Sequence, residues 1–347
     1  MGAEPLAITA GDMPDTIDAS ATDDLIAFSQ HLDRTATAWL DGLGAGARRD
    51  GRRVFYLVVG TEDYALGIAA LVRSLRARST LPILVLAAGG WKPQLREERL
   101  AVIHVPEIVK RDLEAWGAPR FRRTLTKLWA FSFVSADRLV FLDGDCLVRQ
   151  PIDDLLDGDG FAAAPDLLSN QPGPVFNSGV FALSPDVSTR RALFQFLPGA
   201  RSFDGGDQGI LNTFIGAPAH WLPACDNLLR TYEHAMPGAA GTARIVHYTA
   251  KKPWHPDTET EGDRALIALD DAWTEHLDRD ELMALVGEWR RRTAAAEIAT
   301  NAALARLEAE IIGQRNQVRR LCRNGLALGG LVALLQLALF GVWLLAA

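Results

Sequence analysis

The chain has 347 residues, 48% of them hydrophobic, and a formal net charge of −7. That is enough for one large domain or two modest ones with a full core, and it gives no overall pull toward nucleic acid. Three cysteines, Cys146, Cys225 and Cys322, have neither paired nor zinc-type spacing, which argues against a disulfide scaffold and fits a reducing compartment.

The N-terminus lacks the basic and apolar regions of a signal peptide, and Leu6 stands where myristoylation needs Ser or Thr. Residues 1–50 read as an extension. Leu25, Phe28, Leu32 and Trp39 recur at roughly helical spacing, predicting one amphipathic helix over 23–40 and then a flexible Gly/Arg linker over 42–53. Residues 54–59 (VFYLVV), 82–87 (PILVLA) and 100–105 predict strands. Between the first two lies a helix whose inner face carries Ala69, Ala70, Val72 and Leu75, with Thr61-Glu62-Asp63 as its cap. This alternation predicts right-handed βαβ units and a parallel sheet. A further helix is expected over 121–134, carrying Arg122, Arg123 and Lys127.

Residues 138–151 read RLVFLDGDCLVRQP. An apolar run of this length, bounded by polar residues, fits a buried parallel strand, and the carboxyl end of such a strand is where open α/β sheets bind ligands. Asp143 and Asp145 stand two apart, so an extended chain points both at one ion. Gly144 between them leaves the backbone open to a ligand. A hard divalent cation, completed by phosphate oxygens, suits such a pair; the plainer alternative is a surface turn, where Asp and Gly are ordinary.

Beyond the motif, residues 161–165 form a short edge-like strand. A strand over 175–183 carries Asn177, Ser178 and Gly179. A helix is expected over 190–197, and a Gly-flexed helix start at Gly205-Gly206-Asp207-Gln208 continues through 210–215. A strand over 243–248 ends near His247. Residues 264–292 and 294–321 are helical by pattern. Leu304, Ile311 and Val318 lie seven apart, but Gln314 interrupts the seam, which is too short for a coiled coil. Residues 326–345 carry no charge and one amide, Gln336, with Arg315, Arg319, Arg320 and Arg323 just before them. That pattern predicts a transmembrane helix, a tail anchor with the catalytic domain held in the cytoplasm.

Four stretches can converge on one pocket. Asp143 and Asp145 supply carboxylates. His247 supplies an imidazole, which favours Mn²⁺ over Ca²⁺. Lys252 supplies a point charge for a phosphate, and Asp204, Asp207 and Gln208 supply polar groups for a sugar.

With these stretches in hand, residues 54–254 resemble the glycogenin-like glycosyltransferases of family eight. The matches fall in order: TLTKLWAF (124–131), RLVFLDGDCLV, FNSGVFALSP (176–185), SFDGGDQGILNTF (202–214) and HYTAKKPW. They cover about 200 of the 347 residues. The resemblance implies a GT-A-type, Rossmann-like fold with a mostly parallel sheet flanked by helices, followed by the helical stalk and the single transmembrane helix. The divisions are residues 1–50, a transferase domain 51–258, a stalk 259–323 and the span 324–347.

The same resemblance implies a nucleotide-sugar donor, usually a UDP-sugar, and transfer of a hexose with retention of configuration. It implies Mn²⁺, with Mg²⁺ as the substitute, held by Asp143, Asp145 and His247. Gly60, Thr61 and Tyr64 would meet the uridine, Lys127 and Lys252 the diphosphate, and Asn177, Ser178, Asp204, Asp207 and Gln208 the sugar. The acceptor is left open by the sequence: a glycan, lipid-linked or protein group, or a small molecule. Ala250 stands where the family usually has Gly, and Lys252 comes one residue early, so Lys251 is a second candidate for the phosphate. Tyr232 lies near the region of the tyrosine that self-glucosylating relatives modify, at a different spacing. Two rival readings are a nucleotidyltransferase and a membrane-tethered binding module. The first wants a basic Gly-rich loop where GTEDYALG stands, and the second predicts loss of ligands that are all present.

Overall fold

A computed structural model of the chain describes residues 6–8, 14–110, 119–250, 252–255, 264–323 and 336–341. The chain divides into two units, Met1–Glu281 and Leu282–Ala347. In chain order the strands are β1 (Leu6–Ile8), β2 (Thr16–Asp18), β3 (Arg48–Arg49), β4 (Arg52–Gly60), β5 (Ile83–Ala87), β6 (Leu100–His104), β7 (Glu107–Val109), β8 (Arg138–Asp143), β9 (Cys146–Val148), β10 (Phe161–Pro165), β11 (Phe176–Leu183), β12 (His220–Trp221), β13 (Leu228–Leu229) and β14 (Ile245–His247). The α-helices are α1 (Thr22–Gly42), α2 (Ala65–Arg76), α3 (Val187–Phe196), α4 (Asp207–Ile215), α5 (Tyr232–Ala235), α6 (Arg264–Thr274) and α7 (Arg279–Arg323).

The main sheet runs β1-β6-β5-β4-β8-β11-β10-β12, with β3 folded back onto β4. From β1 to β8 every pair is parallel, as the βαβ spacing requires. At β8 the direction changes: β11 is antiparallel to β8, and β10 is antiparallel to β11. The sheet is therefore mixed. Side chains alternate across it with the period of two that a strand imposes. Val54, Tyr56 and Val58 join α2 on one face, while Phe55 and Leu57 join Leu139 and Phe141 on the other. A second, three-stranded sheet, β13-β14-β9, brings His247 opposite Cys146.

The N-terminal helix is part of this core. Leu25, Leu32, Ala36 and Leu40 are buried in the same cluster as Trp129 and Phe194, and the Phe28 ring meets Trp129 edge-on at 4.8 Å. Each fully buried Leu contributes about 1.5–3 kcal/mol, so α1 is a structural layer and not a loose extension. The expected flexible linker is also ordered. Asp50 (φ 51°) and Gly51 (φ 82°) form a two-residue turn between β3 and β4, the Asp-Gly hairpin geometry that needs positive φ at both positions.

Other expectations need correction. The run Pro119–Ser132 is a 3₁₀ helix, not an α-helix. Leu125, Leu128, Trp129, Ala130, Phe131 and Phe133 are all buried, so residues 125–133 are packed on every side and lack the solvent face of an amphipathic helix. Thr61 makes no side-chain cap. The helical region expected over 264–292 breaks before α7, where Asp278 and Glu281 cap each other reciprocally: the Glu281 amide donates to Asp278 Oδ1 and the Asp278 amide to Glu281 Oε2, each at 2.9 Å, a capping box with Asp as its first residue.

The predicted transmembrane helix over 326–345 lies mostly outside the described residues; only 336–341 are described, as a short helical piece. Among the described residues no helix is long and apolar enough to cross a membrane. The fold class is therefore corrected to an α/β fold with a mixed sheet and helices and, among the described residues, no spanning helix. The tail anchor, the membrane partner and the cytoplasm-facing topology inferred from it are withdrawn.

Candidate active site

The site forms at the carboxyl edge of β4 and β8, where the sheet changes from parallel to antiparallel. Val59 of β4 pairs with Asp143 of β8. Because β11 returns antiparallel, with Val180 opposite Leu142, the start of β11 lies beside the end of β8 and brings in Asn177 and Ser178. β14 supplies His247, and the N-terminus of α4 supplies Asp207 and Gln208. Asp145, Asn177, Ser178, Asp207 and His247 are all buried.

Two carboxylate–ammonium groups occupy the site. Lys127 Nζ lies 2.8 Å from Asp143 Oδ2 and 2.8 Å from Asp207 Oδ2. Lys252 pairs with Asp145 and donates to the Tyr248 carbonyl at 2.8 Å. His247 Nε2 stands 3.2 Å from Asp145 Oδ1 and 3.9 Å from Asp143 Oδ2. Burial pushes the Asp143 carboxyl up to about 6 against the pull of Lys127. Burial also works to raise Asp145, but His247 and Lys252 outweigh it and hold that carboxyl well below the usual range. Asp207 is likewise held down by Lys127 despite its burial. For Lys127 itself burial works downward, and Asp143 and Asp207 outweigh it to keep the ammonium charged. Lys127 is thus a buried bridge between the D-x-D strand and α4, engaged by both carboxylates.

Asp145, Cys146 and His247 offer ligand atoms all within 4.8 Å of one another. The sequence reading treated Cys146 as an apolar strand residue. Burial, reinforced by Asp145 and Asp143, raises its thiol well above the ordinary value, so the donors suited to a cation are two carboxylates and an imidazole. That set fits a divalent ion of the Mn²⁺ type.

Asn177, Ser178, Asp207 and Gln208 form a tight network. Ser178 Oγ donates to Asp207 Oδ2 at 2.6 Å. Gln208 Oε1 accepts from Asn177 Nδ2 (3.0 Å) and the Ser178 amide (3.3 Å), and its Nε2 donates to Asp166 Oδ2 at 3.0 Å. Asp166 and Asn227 belong to this network and carried no sequence signal: Asp166 follows β10, and Asn227 ends a 3₁₀ turn over Ala224–Asn227. Asp204 points elsewhere: its Oδ1 accepts from the Gly206 and Gly209 amides and Ser202 Oγ, which makes it a brace for the start of α4.

Tyr64 meets Trp254 edge-on at 5.8 Å, and Lys252 Nζ lies 5.7 Å from the Tyr64 ring centroid. Gly60 ends β4, and Thr61 and Tyr64 follow it at the same edge. Gly144 serves the packing of α2 and not an open approach: a Cβ there would stand 2.8 Å from Ile68 Cγ1. Ala250 has φ 62°, the left-handed region that makes its place glycine-like. Lys251 lies outside the described residues. Tyr232 is fully buried and its hydroxyl accepts from the Leu167 amide at 2.7 Å, so it presents no surface hydroxyl.

Fold and site together define an α/β protein of the GT-A-like glycosyltransferase type. No family model matches the chain. Rabbit (Oryctolagus cuniculus) glycogenin-1 is 32% identical over 236 residues, covering 61% of this chain and 69% of the relative. Human (Homo sapiens) glycogenin-1 is 34% identical over 227 residues, 58% of this chain and 62% of the relative, so the chain spans less than two thirds of that protein. The solved structure of galactosyltransferase LgtC with donor and acceptor sugar analogues aligns at a TM-score of 0.47 and 19% identity, covering 64% of this chain and all (100%) of that one. The chain belongs to the glycogenin-like glycosyltransferases of family eight.

Proposed function

We propose that this protein transfers a hexose from a nucleotide sugar, a UDP-sugar, to a glycan, lipid-linked or protein acceptor with retention of configuration, using a divalent cation, Mn²⁺, with Mg²⁺ able to substitute. The observation that carries this reading is the approach of His247 Nε2 to Asp145 (3.2 Å) and Asp143 (3.9 Å) at the edge of the sheet. Asp143, Asp145 and His247 would hold the cation, which neutralises charge developing on the leaving diphosphate. Lys252 adds a point charge on the same side, next to the Tyr64 ring that would receive the uridine. Breaking the bond between sugar and phosphate leaves positive character on the anomeric carbon. Asp207, kept ionised by Lys127, faces that charge with a carboxylate. Gln208 holds Asn177 and Asp166 in place around it through both ends of its amide.

The test is a screen of UDP-sugars for Mn²⁺-dependent hydrolysis, with acceptors added afterwards. Release of UDP that stops in chelator and returns with Mn²⁺ is the expected result. Turnover undiminished in chelator would overturn the metal assignment, and no turnover with any nucleotide sugar or acceptor would overturn the transferase reading.

A further inference from the structure

A chain of three side-chain amides runs from His247 to Gln208; backbone amides fix the orientation of Asn177 and Gln208, and Asn177 in turn fixes that of Asn227. A backbone N–H only donates. The Gly179 amide donates to Asn177 at 3.0 Å, so the oxygen of Asn177 is the atom on that side, and its nitrogen faces Gln208. The Ser178 amide reaches the same Gln208 atom, at 3.3 Å, that accepts from Asn177; that atom is therefore the Gln208 oxygen. Asn177 Oδ1 accepts a second bond, at 2.8 Å, from Asn227, so the nitrogen of Asn227 is the atom on that side. The oxygen of Asn227 is left 3.1 Å from His247 Nδ1. An amide oxygen only accepts, so Nδ1 carries a proton. Asn227, at 1% exposure, has no solvent alternative for either end of its amide.

We propose that Asn227 is the positioning residue that fixes the ring of His247, holding the proton on Nδ1 and presenting Nε2 to Asp143 and Asp145, and that through Asn177 it ties the ring to Gln208. A ligating histidine needs its other ring nitrogen satisfied in this way; loss of such a partner typically weakens metal binding 10–100-fold. The effect on affinity rests on the reading of His247 as a cation ligand. The proton position stands without it.

The experiment uses the full chain with ¹⁵N-labelled histidine rings. Long-range ¹H–¹⁵N spectra are recorded in chelator, and His247 is assigned from a His247→Asn variant. Mn²⁺ affinity is measured separately by calorimetry. In the wild type Nδ1 of His247 is expected to be protonated. Asn227→Ala is expected to weaken Mn²⁺ binding by about 10–100-fold and to let the proton leave Nδ1. Asn227→Asp keeps an acceptor for Nδ1–H but loses the donor to Asn177 Oδ1, so it is expected to retain the proton on Nδ1 and to bind Mn²⁺ more tightly than Asn227→Ala does. A merely structural role would weaken both variants alike. A bare Nδ1 in the wild-type spectrum overturns the proposal, as does a folded Asn227→Ala protein with wild-type Mn²⁺ affinity. A wild-type protein that shows protonated Nδ1 but binds no Mn²⁺ refutes the metal reading and leaves the ring assignment intact.

Discussion

Gly179→Ala tests the site through the smallest possible addition. A Cβ at Gly179 would lie inside 3.0 Å of both Cε1 and Nδ1 of His247, and 3.0 Å from Asn177 Oδ1. Gly179 is not among the positive-φ residues, so alanine meets no backbone penalty and the effect is steric. To go from 2.0 Å to the 3.4 Å at which ordinary contact begins, the imidazole must retreat by about 1.4 Å, whereas a ligand atom tolerates about 0.2 Å. The 3.1 Å bond to Asn227 and the 3.2 Å approach to Asp145 both depend on that ring. Overpacking of this kind costs about 1–3 kcal/mol of stability. Mn²⁺ affinity is expected to fall by at least the 10–100-fold of a lost supporting contact, about 1.4–2.7 kcal/mol. The assay is calorimetric Mn²⁺ titration with parallel thermal melts, for Gly179→Ala, His247→Ala and the double variant. With the ring already removed, Gly179→Ala should add little further loss of affinity. Full additivity, or wild-type Mn²⁺ binding by Gly179→Ala, would refute the packing of His247 on Gly179 as the basis of its position.

Asp143→Ala or Asp145→Ala is expected to reduce transfer by more than about 100-fold, with circular dichroism unchanged; activity retained in either variant contradicts the ligand assignment. Asp207→Asn should lower kcat far more than it weakens UDP binding, because its charge acts on the developing cation; a loss confined to UDP affinity would make it a binding residue. Because the Asp143 carboxyl is pushed up to about 6, its proton competes with a cation below that pH, and Mn²⁺ affinity should weaken by up to about tenfold per pH unit there. In chelator the sign reverses: a raised folded-state value means this group favours the folded protein increasingly as pH falls from about 6 toward 3.8, which melts across that range will read. Ala250→Gly relieves a φ of 62° worth about 1–2 kcal/mol, offset by up to about 1 kcal/mol of unfolded-chain entropy, so denaturant unfolding should show stability unchanged or slightly increased. A clear loss would mean that the Ala250 methyl packs.

The strands of the parallel half were legible because each is an apolar run with turn residues at its ends, and β4, β5 and β6 fall within a residue or two of where the pattern put them. The D-x-D pair, His247, Lys252, Asp207 and Gln208 meet in one place, as ordered motifs at strand and helix ends suggested. Other features were hidden for physical reasons. β1 and β2 are three residues each, too short for any period to show. Residues 125–133 are buried without a break, and periodicity cannot tell such a stretch from an amphipathic helix that is only half covered. Asn227 acts through two bonds of a single amide, which leaves no pattern in the chain. The Asp50-Gly51 turn and the Asp278-x-x-Glu281 cap, by contrast, were written in the residues and passed over in favour of a linker and an unbroken helix. The terminal apolar run was weighed by its composition alone, and the described helices do not include a span.

The reversal of direction at β8 has a bearing on how this site can change. Because β10 and β11 are antiparallel, the loop that joins them hangs over the same edge as Asp143. Its first residues are fastened: Asp166 holds Gln208, and the Leu167 amide is held by Tyr232. Past Leu168 the described contacts are local, such as the Gln171 amide to Ser169 Oγ, until the Asp166 amide closes the loop on the Val175 carbonyl. Leu167 and Leu168 are about half exposed, at 49% and 48%. Residues 169–174 can therefore be lengthened, shortened or rewritten without moving a strand, a lysine bridge or a ring of the cation site. Evolution and the protein engineer have the same handle here: one hairpin tip beside the site is open to editing, while the contacts behind it stay as they are.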